Sequence, residues 1–155
     1  MRFEMQSVMN SSPEELWRYL SDTRIFRQVA APLMTFESMD HKGLPANWAE
    51  GKSYKLAMRA FGVVPLGHHS ITFVAIDEHS RSVKTRETGL LIRSWRHTMK
   101  VVVDSNDKTI FRDELDVRNG LLTWPTFVGA YLFFGYRHWR FKRLIDKGVL
   151  AEDRE

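Results

Sequence analysis

Trp95, His97, Met99, Val101 and Val103 alternate with Arg96, Thr98 and Lys100. Successive side chains of a strand point to opposite faces, so this stretch reads as a β-strand with one buried face. Its neighbours in sequence read the same way. Val83 to Gly89 is a strand, and Thr109 to Val117 is another, reached through a hairpin turn at Ser105-Asn106-Asp107-Lys108. Upstream, Tyr54, Leu56, Met58 and Ala60 alternate with Lys55 and Arg59, which turns the first set inward. Ile71 to Ile76 is apolar on both faces, and Leu33 to Met39 is a further strand. Gly43 and Pro45 mark a loop from His41 to Ala49, and Gly62 and Pro65 punctuate the next connection. Strands this close in sequence pair antiparallel, because a parallel pair needs a long crossover.

The two ends frame this run. Arg2 to Met9 reads as a first strand, closed by Asn10-Ser11-Ser12. Ser12-Pro13-Glu14-Glu15 then starts a helix: Ser12 caps it, Pro13 suits its first position and Glu15 completes a capping box. A second short helix begins at Ser21-Asp22, carries Ile25, Phe26 and Val29, and ends at Ala31-Pro32. After Asn119-Gly120 the chain is helical from Thr123 to about Lys147. Trp124, Phe127, Val128, Tyr131, Gly135, His138 and Trp139 recur there at spacings of three and four and predict an apolar stripe. The fold class is therefore α+β: a curved antiparallel sheet of about seven strands around a long C-terminal helix, with two short helices after strand 1. Sheet and helix cannot close on each other completely, so a mostly apolar cavity between them is expected.

With 155 residues the chain is long enough for one domain, expected over 1–150, with 151–155 as a disordered tail. The absence of cysteine excludes disulfides, thiolate metal sites and cysteine nucleophiles. The formal charge is +4, but the basic residues are dispersed. They thicken only at Arg137, Arg140, Lys142, Arg143 and Lys147, where cations complement a helix C-terminus, so no nucleic-acid partner is expected. Met1 to Gln6 lacks the apolar run of a secretory leader. Leu121 to Tyr136 is shorter than the roughly 20 residues of a membrane span and contains Pro125. The cytoplasm is the expected location. No pattern points to a particular oligomeric state or cofactor.

The opening Ser12-Pro13-Glu14-Glu15-Leu16-Trp17, then Pro65-Leu66-Gly67, Trp95-Arg96-His97, Thr109 with Asp113, Gly120 and Phe134-Gly135-Tyr136-Arg137-His138 come in a familiar order. In these the chain resembles the helix-grip superfamily of START or SRPBCC domains. That group includes polyketide cyclase/dehydrase-like proteins, the birch-pollen-allergen type and bacterial ligand-binding SRPBCC proteins. The chain departs from the pattern at Gly89-Leu90-Leu91 and at Met99. The resemblance implies a helix-grip fold and a hydrophobic cavity. It implies binding or transport of a lipid, quinone or polyketide-like molecule, and in some members a cyclisation or dehydration.

The residues offer candidates for both. His97 shares a strand face with Trp95 and Met99, and Asp113 shares one with Phe111, Leu115 and Val117. Partners for Asp113 are His97 on the neighbouring strand, or Arg137 or His138 on the helix, and a His97–Asp113 pair is either a general base or a structural salt link. Glu87 has the parity of Val83 and Thr85 and adds a possible second inward carboxylate. Tyr54, Met58, Trp95, Met99, Phe111, Phe127 and Tyr131 form either a cavity wall or a filled core. Gly135 and His138, on the helix stripe, complete the expected ligand-contacting set. Adjacent His68 and His69 point to opposite faces and no H-x-H or H-E-x-x-H pattern is present, so no metal site is expected. The leading expectation is a hydrophobic-ligand binder; the alternatives are a cyclase or dehydrase using His97 and Asp113, and a protein interaction module.

Overall fold

The computed structural model describes residues 1–152. A first strand, β1 (Arg2–Met9), leads into helices α1 (Pro13–Ser21) and α2 (Thr23–Ala30). Six strands follow: β2 (Met34–Ser38), β3 (Ser53–Ala60), β4 (Val64–Asp77), β5 (Ser82–Gly89), β6 (Ile92–Val103) and β7 (Thr109–Arg118). One tight helical turn (Gly120–Leu122) precedes the long helix α3 (Thr123–Asp146) and the short α4 (Val149–Glu152). Ala151 and Glu152, assigned above to a tail, belong to α4; 153–155 lie outside the described residues.

The seven strands form one antiparallel sheet in the order β1-β7-β6-β5-β4-β3-β2. Strands β2 to β7 are therefore a plain meander, and β1 closes onto β7 with Phe3 opposite Leu115 and Ser7 opposite Phe111. The sheet curves around α3, which packs directly on β1, β7 and α2. This is the helix-grip arrangement.

Local sequence explains most element boundaries. The Ser12 hydroxyl accepts the Glu15 backbone N–H at 3.1 Å, and the Asp22 carboxylate accepts that of Arg24 at 2.8 Å, so each short helix has its own cap. Their apolar faces bury Leu16, Tyr19 and Leu20, then Ile25, Val29 and Ala30. The β4 strand starts earlier than the Pro65 punctuation suggests. The β3–β4 register shifts between Met58 and Arg59, and the irregularity accommodates a proline that has no N–H to give to the ladder. A second shift, between Phe73 and Ala75, leaves Val74 exposed within an otherwise apolar run.

Two sequence expectations need correction. Trp124, Tyr131 and Trp139 of the anticipated helix stripe are exposed. The buried face of α3 is Ala130, Phe134, Arg137, His138 and Phe141. The helix is apolar nearly all round, so its periodicity admits several faces and the sheet selects one. Arg137, grouped above with the C-terminal cations, lies on that buried face. The His41–Ala49 loop also carries core: Trp48 stacks its ring on Phe73 at 4.7 Å and its backbone N–H donates to the Ser21 carbonyl.

Candidate functional site

The sheet packs α3 against β1 and β7, and β6 reaches it through Trp95 and His97 on Phe134 and Met99 on Arg137, while a gap remains toward β3, β4 and β5. A cavity of about 210 Å³ occupies the gap. Its wall is mostly apolar, with Phe26 and Val29 from α2, Phe36 from β2, Phe73 from β4, and Ala130 and Phe134 from α3. Leu66, Leu91 and Phe133, only partly buried or exposed, also line it.

Polar groups gather where β4, β5 and β6 meet the cavity. Thr85, Glu87, Trp95 and His97 all point inward, because cross-strand pairing sets Thr85 opposite His97 and Glu87 opposite Trp95. From there a hydrogen-bonded network crosses the interior. His69 Nε2 lies 2.6 Å from Glu87 Oε2, and Thr85 Oγ1 donates to Glu87 Oε1 at 2.7 Å. His97 places Nδ1 3.5 Å from Glu87 Oε1 and Nε2 2.7 Å from Asp113 Oδ1. The other Asp113 oxygen takes a hydrogen bond from His138 Nε2 at 2.9 Å. His138 Nδ1 then shares a 2.9 Å bond with the Ser7 hydroxyl on β1. Arg137 sits across the rings of Phe111 and Phe134, 5.5 and 5.3 Å from their centroids.

Burial alone would push both carboxyls up. At Asp113 the charges of Arg137 and His97 and the hydrogen bonds from His138 and His97 reverse this and hold it well below the carboxylate range. At Glu87 the hydrogen bonds and charges of His69 and His97 do the same. Burial would also drive the His97 imidazole toward its neutral form. The Asp113 charge and hydrogen bond, reinforced by Glu87, outweigh it and raise His97 above its ordinary 6.5. Two buried carboxylates thus face Arg137 and a His97 whose protonated form they favour. Among the described residues no group of His, Asp and Glu is arranged to hold a metal ion.

Of the residues singled out from sequence, Met58, Glu87, Trp95, His97 and Met99 line the cavity. The others lie elsewhere. Asp113 is wholly buried behind His97. Phe111 stacks on His138 at 4.7 Å, and His138 itself bridges Asp113 and Ser7. Phe127 and Tyr131 meet Phe3 edge-on at 5.4 and 5.5 Å, over β1. Gly135 faces Met5, also of β1. Tyr54 packs against Trp48 and Phe73, and its hydroxyl accepts the Ala49 N–H. Strand parity reports which face of the sheet a residue takes, not whether the helix fills the space opposite. His69 was missed. It shares parity with the buried Ile71 and Phe73, a signal that was available. Arg137 entered the site only as a possible partner of Asp113, and its charge does act on that carboxylate.

Residues 7–145 match the family described as a domain of unknown function, DUF8410. The chain belongs to this family. Among curated proteins none matches it in sequence. Solved structures do match this DUF8410 domain in fold. A protein from Chromobacterium violaceum aligns with a TM-score of 0.71 and 12% identity, over 93% of this chain and 96% of that one. Ara h 8.0201 aligns at 0.69 and 12%, over 95% and 98%. DynU16, from the dynemicin biosynthetic locus, aligns at 0.64 and 15%, over 95% of this chain and 48% of its own. Identities this low establish a shared helix-grip fold. Among the described residues of the DUF8410 domain, no helix is long and apolar enough to cross a membrane.

Proposed function

We propose that this domain is of the SRPBCC or START type and binds a hydrophobic small molecule, lipid-like, quinone-like or polyketide-like, in the cavity between sheet and helix. The observation that carries the reading is the cavity itself: about 210 Å³ of space inside an aromatic- and Met-rich wall with polar groups confined to one side. A ligand burying about 200 Å² of apolar surface there gains about 5 kcal/mol.

A cyclase or dehydrase using His97 and Asp113 is less well supported. His97 Nε2 is bound to Asp113 and Nδ1 faces Glu87, so neither nitrogen is free to take a proton from a guest. Native mass spectrometry of the purified protein and thermal shift against lipids and quinones test the binding reading. A co-purifying mass or a raised melting temperature is expected. Ala130→Trp, which fills the cavity from α3, should remove either effect while leaving the circular dichroism spectrum intact. Silence in both assays with the unmodified protein would count decisively against a ligand site.

A further inference from the structure

Two buried ring nitrogens on the cavity wall have no hydrogen-bond partner in the protein: His69 Nδ1 and Trp95 Nε1. Both residues are more than nine-tenths buried, at 5% and 7% exposure. Their rings are neighbours, with centroids 6.4 Å apart. Unsatisfied buried polar atoms are rare, because each forfeits its hydration without replacement. Every other polar contact in this region is made, down to the Thr85 hydroxyl on Glu87. The two orphans therefore mark where a polar atom of a guest would be received.

Their chemistry says which kind. The indole Nε1–H can only donate, so it calls for an acceptor. His69 engages Glu87 through Nε2, which places a ring proton there and leaves Nδ1 on the cavity wall as the second unmet group. A hydroxyl meets both: it accepts the indole N–H and still offers an O–H and a second lone pair to an imidazole nitrogen.

We infer that the ligand class is hydroxylated: an apolar skeleton whose alcohol or phenol oxygen accepts the Trp95 Nε1–H and hydrogen-bonds His69 Nδ1. The inference rests on the cavity being a ligand site and adds what the apolar wall alone cannot supply. A wall of carbon discriminates weakly between guests. Buried polar groups that require a partner reject the analogue lacking it.

Calorimetric titration with naphthol, its methyl ether and naphthalene separates the possibilities. The ether keeps the oxygen but cannot donate; naphthalene has neither function. Naphthol should bind at least about tenfold more tightly than naphthalene, and the ether should fall between them. Trp95→Phe keeps an aromatic ring in place and removes the donor. It should weaken naphthol about fivefold more than it weakens naphthalene. Equal affinity for naphthol and ether would show that the O–H is not read and overturn the hydroxyl, and an equal loss for naphthol and naphthalene in Trp95→Phe would reduce the indole to packing. Equal affinity for all three would overturn the inference yet leave the cavity a ligand site. If none binds, the inference falls together with the reading beneath it. The three-ligand comparison needs only the unmodified protein, so the test stands even if Trp95→Phe folds poorly.

Discussion

Asp113→Asn removes one charge from the centre of the buried network and leaves its shape intact. Asp113 has no exposed surface and accepts hydrogen bonds from His97 and His138 at 2.7 and 2.9 Å. Asparagine can accept from only one of them; its amide group meets the other donor head-on. A hydrogen bond to a buried charge is worth about 1.5–3 kcal/mol, and removing one partner of a buried ion pair typically costs about 3–5 kcal/mol. The variant should therefore lose about 3–5 kcal/mol, a large part of the roughly 5–15 kcal/mol of a whole domain. The loss should also depend on pH in a fixed direction. His97 is raised above its ordinary 6.5, so its contribution is fully present below that value and is lost as pH rises through the folded-state pKa. Asp113 is depressed, so its contribution is present above 3.8 and disappears as pH falls through its folded-state value. The gap between unmodified protein and variant should be widest near neutral or mildly acidic pH and should narrow as His97 deprotonates. Urea unfolding followed by circular dichroism, from about pH 6 to pH 9, measures it. A loss below about 1 kcal/mol, or one that is flat across that range, would refute the account of the network as balanced buried charge.

Two further outcomes follow from the backbone. Gly129 lies on α3, where an added Cβ meets nothing within 4 Å, so Gly129→Ala should stabilise by about 0.5–1 kcal/mol in thermal unfolding. A Cβ at Gly89 would come within 2.5 Å of the His68 carbonyl oxygen, a backbone atom that cannot yield cheaply. Gly89→Ala should destabilise by about 1–3 kcal/mol, and it should loosen the β4–β5 pairing that brings His69 to Glu87, which would appear as faster amide exchange along β5.

The legible part of this molecule was whatever depends on nearest neighbours in sequence. Alternation fixed the strands and their inward sides, so Glu87, His97 and Asp113 were found on the correct face before any pairing was known. Capping chemistry at Ser12 and Asp22 placed both short helices. The α3 face was not legible, because Trp124, Tyr131 and Trp139 are as apolar as Phe134 and Phe141 and only the curvature of the sheet tells them apart. Nor was the division of the interior into a filled side, where β1 and β7 pack on α3, and a hollow side toward β3, β4 and β5. His97 and Asp113 meet because Met99 pairs with Asp113 and His97 with Leu115 across β6 and β7, which sets the two side chains diagonally on one face. The sequence by itself determined the list of elements and the sidedness of each strand, since both are set by backbone periods of a few residues. Which groups touch, which are left without partners and where space remains came only from tertiary packing, because those distances join residues far apart along the chain.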